Sequence, residues 1–210
     1  MEMFFDGKSS LKYYGLILRS LSRTPPVRKR YLYSVEGADG QTDLLKGMGP
    51  PRYESRTVRA TFQISASDPQ QVLDQLINEL EGQTVQIVLP GELAYYMTGD
   101  VHISSGTMSP GGEVVIVATC LPWRYRRQEV FVEIPAVDAD MVHTWYNSGT
   151  RDAVPELTVN EPIYITQDGV ATNYQPGTYL MPDFSIPGGG SVSVTIRGGS
   201  LTVRYKEAIL

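Results

Sequence analysis

The strongest constraint on the fold is a strict alternation of apolar and polar side chains over residues 57–64. The apolar members are Val58, Ala60, Phe62 and Ile64. A period of two is typical of a β-strand with one buried face. A shorter alternation covers residues 31–36, and a turn-rich segment of about twenty residues, unusually long for a simple loop, separates the two. We therefore expect residues 37–55 to leave an antiparallel scaffold, reach an adjacent subunit and extend its sheet by edge pairing.

Composition also favours β structure. The chain has 210 residues, 41% of them hydrophobic, with 13 Tyr, 20 Gly and 14 Pro. Tyrosine and β-branched residues favour strands, whereas glycine and proline favour turns. The length allows one large or two small domains, and the apolar content is sufficient for a core.

Residues 68–82 give the one clear helix signal. Asp68 is a suitable N-cap, Pro69 suits the first helical position, and Gly82 suits the position just after the helix. The apolar residues that share one helical face are Val72, Leu73, Leu76, Ile77 and Leu80. We expect this face to pack on a sheet.

We place a domain boundary near Gln128. Residues 1–128 carry 14 Lys+Arg and 13 Asp+Glu, whereas residues 129–210 carry 4 and 10, a balance of −6.

Residues 114–120 are almost all apolar and predict a central strand covered on both faces. After the boundary, short strands are expected at 129–134, 157–159, 163–166, 169–173, 178–181, 192–196 and 201–205, which predicts a small β-sandwich.

No catalytic or metal-binding constellation is apparent. His102 and His143 lack ligand spacing, and Cys120 lies in an apolar run where it is expected to be a buried, inert side chain. Asp138 and Asp140 resemble the start of a calcium loop but lack its later ligands, so a solvated acidic turn is expected. No segment is long enough to span a membrane and no secretion signal is present, so we expect synthesis in a cytoplasm and no cofactor.

Three consecutive basic residues at 28–30 are followed by two tyrosines, Tyr31 and Tyr33. Such a mixture suits nucleic acid or a protein partner, and we favour a protein interface. Together with the turn-rich segment, this gives the following predicted interface residues: Arg28, Lys29, Arg30, Tyr31, Tyr33, Asp39, Asp43, Leu44, Leu45 and Tyr53.

The order of these parts resembles that of the distal tail protein (Dit) family, the baseplate hub of bacteriophages with long, non-contractile tails. The segments that carry the resemblance are VEGADGQTDL at 35–44, CLPWR at 120–124, NSG at 147–149, VPEL at 154–157 and VRYKEAIL at 203–210. The resemblance implies a mainly β protein with a β-sandwich-like, ring-forming belt domain at 1–128 that includes one α-helix. It also implies a small galectin-like β-sandwich at 129–210.

The resemblance further implies a structural virion protein and no enzyme. Members form hexameric rings at the distal end of the tail, and the isolated proteins often form two stacked rings. The expected partners are further copies of the chain, the tail tube protein, the tail-associated or tail fibre hub protein, and baseplate or receptor-binding components. DNA is expected only in transit through the channel of the ring.

Two other functional classes remain open from the sequence. One alternative is that the 129–210 domain is a carbohydrate-binding module for adhesion to a host, although Trp145 is its only tryptophan. A cell-wall enzyme is disfavoured, because Glu133, Asp152 and Glu156 are scattered carboxylates without a defined geometry. Mass in solution distinguishes these classes, since a ring is several times heavier than one 23.3 kDa chain.

Overall fold

The computed structural model describes residues 2–34, 36–37, 39–107, 109, 111–181 and 184–210. The chain divides into two compact units, Met1–Pro122 and Trp123–Leu210. The division precedes Gln128 because a strand at Arg124–Arg126 pairs with the strand at Ala208–Ile209, near the end of the second unit. With this division the second unit carries 7 Lys+Arg and 10 Asp+Glu, a balance of −3, so most of the expected charge asymmetry is lost.

The first unit contains an antiparallel sheet and one helix. Its elements are β1 (Phe4–Phe5), β2 (Lys8–Ser9), β3 (Leu16–Arg23), β4 (Leu32–Tyr33), β5 (Thr42–Asp43), β6 (Arg56–Ile64), α1 (Pro69–Leu80), β7 (Thr84–Val88), β8 (Tyr95–Gly106) and β9 (Glu113–Cys120). The strand order in the sheet is β2-β1-β7-β8-β9-β6-β3. Strands β4 and β5 form a separate two-stranded ladder.

Strand β6 confirms the alternation read from the sequence. Every second residue, from Arg56 through Ile64, is buried, and the intervening residues are exposed or half-buried. Phe62 is fully buried and packs edge-on against Phe5, with the ring centroids 6.4 Å apart. The alternation therefore places one face of β6 in the core of the first unit.

Helix α1 begins and ends where its capping residues predict. The side chain of Asp68 accepts a hydrogen bond from the backbone N–H of Gln71, and Gly82 follows the helix with a φ of +69°. Val72, Leu73, Leu76 and Leu80 are buried. The assignment of Ile77 to the core was wrong, because its side chain is 51% exposed at the margin of the apolar face.

Glu79 connects α1 to the N-terminal segment. Its carboxylate accepts hydrogen bonds from Lys8 Nζ at 2.7 Å, Tyr14 Oη at 3.0 Å and Gln75 Nε2 at 3.0 Å. The hydrogen bond from Lys8 is the main reason that the pKa of Glu79 is lowered to about 2. The ring of Tyr14 is buried beside Phe5, so this polar cluster borders the apolar core.

Strand β9 lies between β8 and β6, as expected for a central strand. The expectation that both faces are covered was wrong for the subunit, since Val115 and Val117 are only half-buried whereas Val114 and Ile116 are buried. Cys120 is buried, as predicted, and burial raises the pKa of its thiol to about 11. This thiol therefore stays protonated and unreactive at neutral pH.

The second unit is a β-sandwich, as the spacing of its strands predicted. Its strands are β10 (Arg124–Arg126), β11 (Val130–Ile134), β12 (Val137–Tyr146), β13 (Glu156–Val159), β14 (Ile163–Gln167), β15 (Val170–Tyr174), β16 (Gly177–Leu180), β17 (Ser191–Gly198), β18 (Leu201–Tyr205) and β19 (Ala208–Ile209). One sheet has the order β11-β18-β13-β16 and the other β12-β17-β14-β15. Buried apolar residues of both sheets, including Trp145, Leu157, Ile163 and Val203, form one core.

Strand β12 was missed by the sequence interpretation. Asp138 and Asp140 lie in this strand and not in the expected acidic turn. The pairing register of β12 with β17 shifts between Val137 and Met141, so the two aspartates occupy a bulge and are exposed.

The NSG and VRYKEAIL segments meet in one hydrogen-bonded junction of the second unit. The buried Glu207 carboxylate accepts bonds from the backbone N–H of Ser148 at 2.7 Å and from its hydroxyl at 2.8 Å. Asn147 Oδ1 accepts from the N–H of Gly149 at 2.9 Å. A side chain at position 149 would place a Cβ 2.5 Å from the carbonyl oxygen of Ala208, so only glycine fits. These residues serve the structure of the sandwich.

Candidate subunit interface

The turn-rich segment forms a long antiparallel arm, defined here as residues 24–55, that continues the β3–β6 hairpin. Backbone hydrogen bonds run from Glu54 N to Val27 O at 2.9 Å and from Lys29 N to Arg52 O at 2.8 Å. Further along, β4 pairs with β5. The expectation of a half-buried strand at residues 31–36 was wrong, since its described part belongs to this arm and is exposed.

The arm has no core of its own. None of its described residues is buried, although several are large and apolar. The side chains of Tyr31, Tyr33 and Met48 are 64%, 56% and 69% exposed. Several exposed large apolar side chains on one element are typical of a site of protein contact. Tyrosine is in addition enriched in the energetically dominant parts of interfaces.

The pairing register assigns the side chains of the arm to two faces. Leu32 lies opposite Asp43, and Arg28 lies opposite Tyr53. Because successive residues of a strand point to opposite faces, Arg28, Arg30 and Leu32 share one face. The other face carries Val27, Lys29, Tyr31, Tyr33 and, across the ladder, Leu44.

The face that carries Arg28 contains a groove of about 550 Å³, called here the basic groove. Its lining residues are Arg28, Arg30, Leu32, Gln41, Thr42, Asp43 and Lys46. Three cationic side chains and one carboxylate therefore line it. A smaller, neighbouring cavity of about 90 Å³ includes Met48, Pro50, Pro51 and Arg52.

Asp43 shapes the arm from within. Its Oδ1 atom accepts hydrogen bonds from the backbone N–H groups of Tyr31 at 3.2 Å and Leu45 at 3.1 Å. The N–H of Lys46 donates to the carbonyl of Asp43 at 3.0 Å. The aspartate thus starts the turn that positions Lys46 beside the basic groove.

The base of the arm is fixed to the first unit by Arg56. This side chain is buried, and its Nη1 atom donates to the carbonyl of Pro122 at 3.1 Å. Its Nε atom donates more weakly to the carbonyl of Thr24 at 3.4 Å. Nearby, Arg23 Nη1 contacts both carboxylate oxygens of Glu92, at 3.0 and 3.1 Å. The arm therefore leaves the sheet in a defined direction.

The predicted interface residues all lie on the arm but not on one face. Arg28 and Arg30 line the basic groove, whereas Lys29, Tyr31, Tyr33 and Leu44 lie on the opposite face. Asp39 lies at the far end of the arm, and Tyr53 faces Arg28. Asp43 lines the basic groove and starts the turn that contains Leu45. The sequence interpretation missed Lys46 and Met48, whose position depends on a turn that only the pairing register reveals. The interface role of the residues predicted from the sequence stays a prediction.

The described residues show no constellation suited to catalysis or metal binding. Among them, no group of three or more His, Cys, Asp or Glu residues could hold a metal ion. Within the second unit a groove of about 490 Å³ is lined by both cationic and acidic side chains, among them Arg151, Asp152 and Glu156. Asp152 accepts a hydrogen bond from the N–H of Gly188 at 3.0 Å, and Arg151 donates to Tyr125 Oη at 2.6 Å. Both side chains therefore have structural partners.

The second unit presents no flat aromatic platform among its described residues. Trp145 is buried against Phe184, with ring centroids 5.4 Å apart. The exposed ring of Phe131 is covered by the guanidinium of Arg204 at 5.2 Å. The remaining exposed tyrosines, Tyr146 and Tyr164, lie opposite different ends of β17. No helix in the described part of the chain is long and apolar enough to cross a membrane.

Comparison with solved structures identifies a full-length match for this arrangement. The crystal structure of the SPP1 Dit (gp 19.1) protein aligns with a TM-score of 0.66 and covers 100% of this chain and 99% of its own. The two chains share one fold. Their sequence identity is 14%, and no protein-family model and no curated protein sequence matches this chain. SPP1 Dit is a paradigm of the hub adsorption apparatus of phages that infect Gram-positive bacteria.

Proposed function

We propose that this chain is a structural protein of a phage tail, the distal tail hub, located in the virion. The full-length match to the SPP1 Dit fold supports a place in the adsorption apparatus. The observation that carries the assembly role is the arm, which extends from the first unit with large apolar side chains and no core. An element of this kind gains stability when a neighbouring subunit covers it.

In this proposal the first unit builds a ring of identical copies, a hexamer by analogy with the Dit family. The arm of each copy contacts the next copy. The ring joins the tail tube to the tail-associated and baseplate proteins and leaves a channel through which DNA passes. The role is structural, and no reaction is assigned to the chain.

Removing the arm tests this proposal. Val27 and Glu54 are joined by a backbone hydrogen bond, so residues 28–53 can be replaced by a two-residue Asn-Gly turn without separating the strands. We expect folded monomers of this variant. The full-length chain should form rings whose mass is a multiple of 23.3 kDa.

Light scattering after size exclusion measures the mass, and negative-stain microscopy shows the rings. Unchanged far-ultraviolet circular dichroism is the control for folding of the shortened chain. Rings formed by the armless variant would contradict the assembly role of the arm. A full-length chain that remains monomeric up to its solubility limit would contradict the ring itself.

We propose that the second unit is an attachment surface for other tail or receptor-binding proteins and not a sugar site. The burial of Trp145 and the dispersed exposed aromatics support this assignment. A glycan array with the assembled protein tests it, with Tyr146→Ala and Tyr164→Ala as variants that remove exposed rings without opening the core. Reproducible binding of one glycan class, lost in either variant, would favour the carbohydrate-binding alternative.

A further inference from the structure

The arm separates its charges along its length. Residues 34–40, called here the tip, contain Glu36 and Asp39 and no lysine or arginine. Both acidic residues are exposed. The cationic residues of the arm all lie outside the tip: Arg28, Lys29, Arg30, Lys46 and Arg52. One element therefore presents an acidic end and a basic groove.

The basic groove carries positive charge that the subunit does not neutralise. Among the described residues, no ion pair involves Arg28, Arg30 or Lys46. The one carboxylate in the groove, that of Asp43, already accepts two backbone hydrogen bonds through Oδ1. The groove is thus suited to an additional acidic group from outside the subunit.

The acidic residues of the tip are likewise unpaired. Within the described part of the chain, neither Glu36 nor Asp39 forms an ion pair or a side-chain hydrogen bond. Neither of these two carboxylates therefore neutralises the groove of its own arm. A partner with the matching acidic surface is already present in every assembly of this chain, namely a second copy.

We propose that the basic groove of one copy binds the acidic tip of the arm of the next copy, an inference that rests on the proposed ring. Groove and tip are different surfaces, so the contact is head-to-tail. Repetition of a head-to-tail contact closes a ring when its rotation permits. Complementary charge would also fix which surface of one copy meets which surface of the next. Like charges would disfavour two arms that meet groove to groove.

Charge reversal tests the contact. Arg28→Glu with Arg30→Glu makes the groove acidic, and Glu36→Lys with Asp39→Lys makes the tip basic. Each double variant should raise the concentration needed for half-maximal assembly by at least about tenfold, since it places like charges together. The combined fourfold variant should recover assembly to within a few-fold of the original chain, because opposite charges again face each other.

Lys12→Glu with Arg127→Glu is the matched control. It changes the net charge by the same amount as the groove reversal, at exposed positions outside the arm. It should assemble as the original chain does. Salt gives a second readout, because about 1 M salt reduces the Debye length to about 3 Å and should weaken assembly of the original chain.

The outcomes separate this inference from the proposed ring. If the armless variant is monomeric but both reversals assemble normally, the arm builds the ring and the charge contact is wrong. If neither double variant assembles and the fourfold variant does not recover assembly, the groove does not bind the tip. A column of immobilised single-stranded DNA tests the alternative occupant. If the original chain is retained on it, and the groove reversal abolishes that retention but leaves assembly unchanged, the groove binds nucleic acid and the inference is overturned.

Discussion

Replacing Leu76 by alanine tests whether helix α1 stabilises the first unit. The Leu76 side chain has 0% exposure and lies among the apolar residues between α1 and the sheet. Truncating a fully buried leucine costs about 2–5 kcal/mol, the spread reflecting how far the surroundings collapse into the cavity. We expect about 3 kcal/mol here, because the facing sheet strands are held by their hydrogen-bond ladders and collapse little.

The next residue provides the control. Ile77 belongs to the same helix but is 51% exposed, so Ile77→Ala removes a similar amount of side chain from a half-solvated position. We expect a loss of less than about 1 kcal/mol for this variant. Leucine and isoleucine are isomers, so both substitutions remove the same number of carbon atoms. Helix propensity favours alanine at both positions.

Urea unfolding followed by circular dichroism measures the free energy of unfolding of both variants. Both tryptophans, Trp123 and Trp145, lie in the second unit, so their fluorescence does not report directly on α1. Native-state hydrogen exchange therefore localises the effect: Leu76→Ala should accelerate exchange in Pro69–Leu80 and leave Ser191–Gly198 unchanged. Equal losses for Leu76→Ala and Ile77→Ala would refute the packing described for α1.

Two further changes have defined outcomes. Glu79→Gln should remove a stabilisation of about 1–2 kcal/mol, reduced from the full pKa effect because the carboxylate is partly exposed. The pKa of Glu79 is lowered from 4.5 to about 2. In urea unfolding at a series of pH values, this stabilisation should therefore be complete above about pH 4.5 and lost as the pH falls toward 2. The Glu79→Gln variant should lack it at every pH. Gly149→Ala should cost about 1–3 kcal/mol, because its Cβ would overlap the backbone of Ala208. Thermal unfolding followed by tryptophan fluorescence, which reports on the second unit, measures that cost. An alanine variant as stable as the original would contradict the tight junction.

The parts predictable from sequence are those whose signal is local. The alternation at Val58–Ile64 and the caps of α1 depend on neighbouring residues along the chain, and both occur as expected. Strand spacing likewise predicted the sandwich of the second unit. In each case the apolar residues that form the pattern pack in the core of their own unit.

The errors arise where burial or pairing is decided at a distance. Tyr31 and Tyr33 alternate like residues of a half-buried strand, yet their side chains are 64% and 56% exposed in the described part of the subunit. Ile77 falls inside the periodic pattern but at the edge of the contact with the sheet. The compact units divide after Pro122, ahead of the boundary predicted near Gln128, because β10 pairs with β19, which is distant in sequence.

The sequence predicts which segment contains the candidate site but not which side chains share one face of it. Its basic and aromatic composition directed attention to residues 28–33, and the register between β4 and β5 then divides those residues between two faces. Lys46 was missed because the Asp43 turn, which brings it to the groove, has no distinctive sequence signature.

The bulge in β12 has a consequence for how copies of this chain behave when crowded. β12 is an edge strand of its sheet, and open edges of ten residues readily recruit strands from other molecules. Asp138 and Asp140 interrupt this edge, and the register shift beside them twists it out of line. Two such edges approaching each other would oppose carboxylate to carboxylate, which disfavours sheet-to-sheet aggregation. We therefore expect the two aspartates that resemble a metal loop in the sequence to disfavour fibrous self-association.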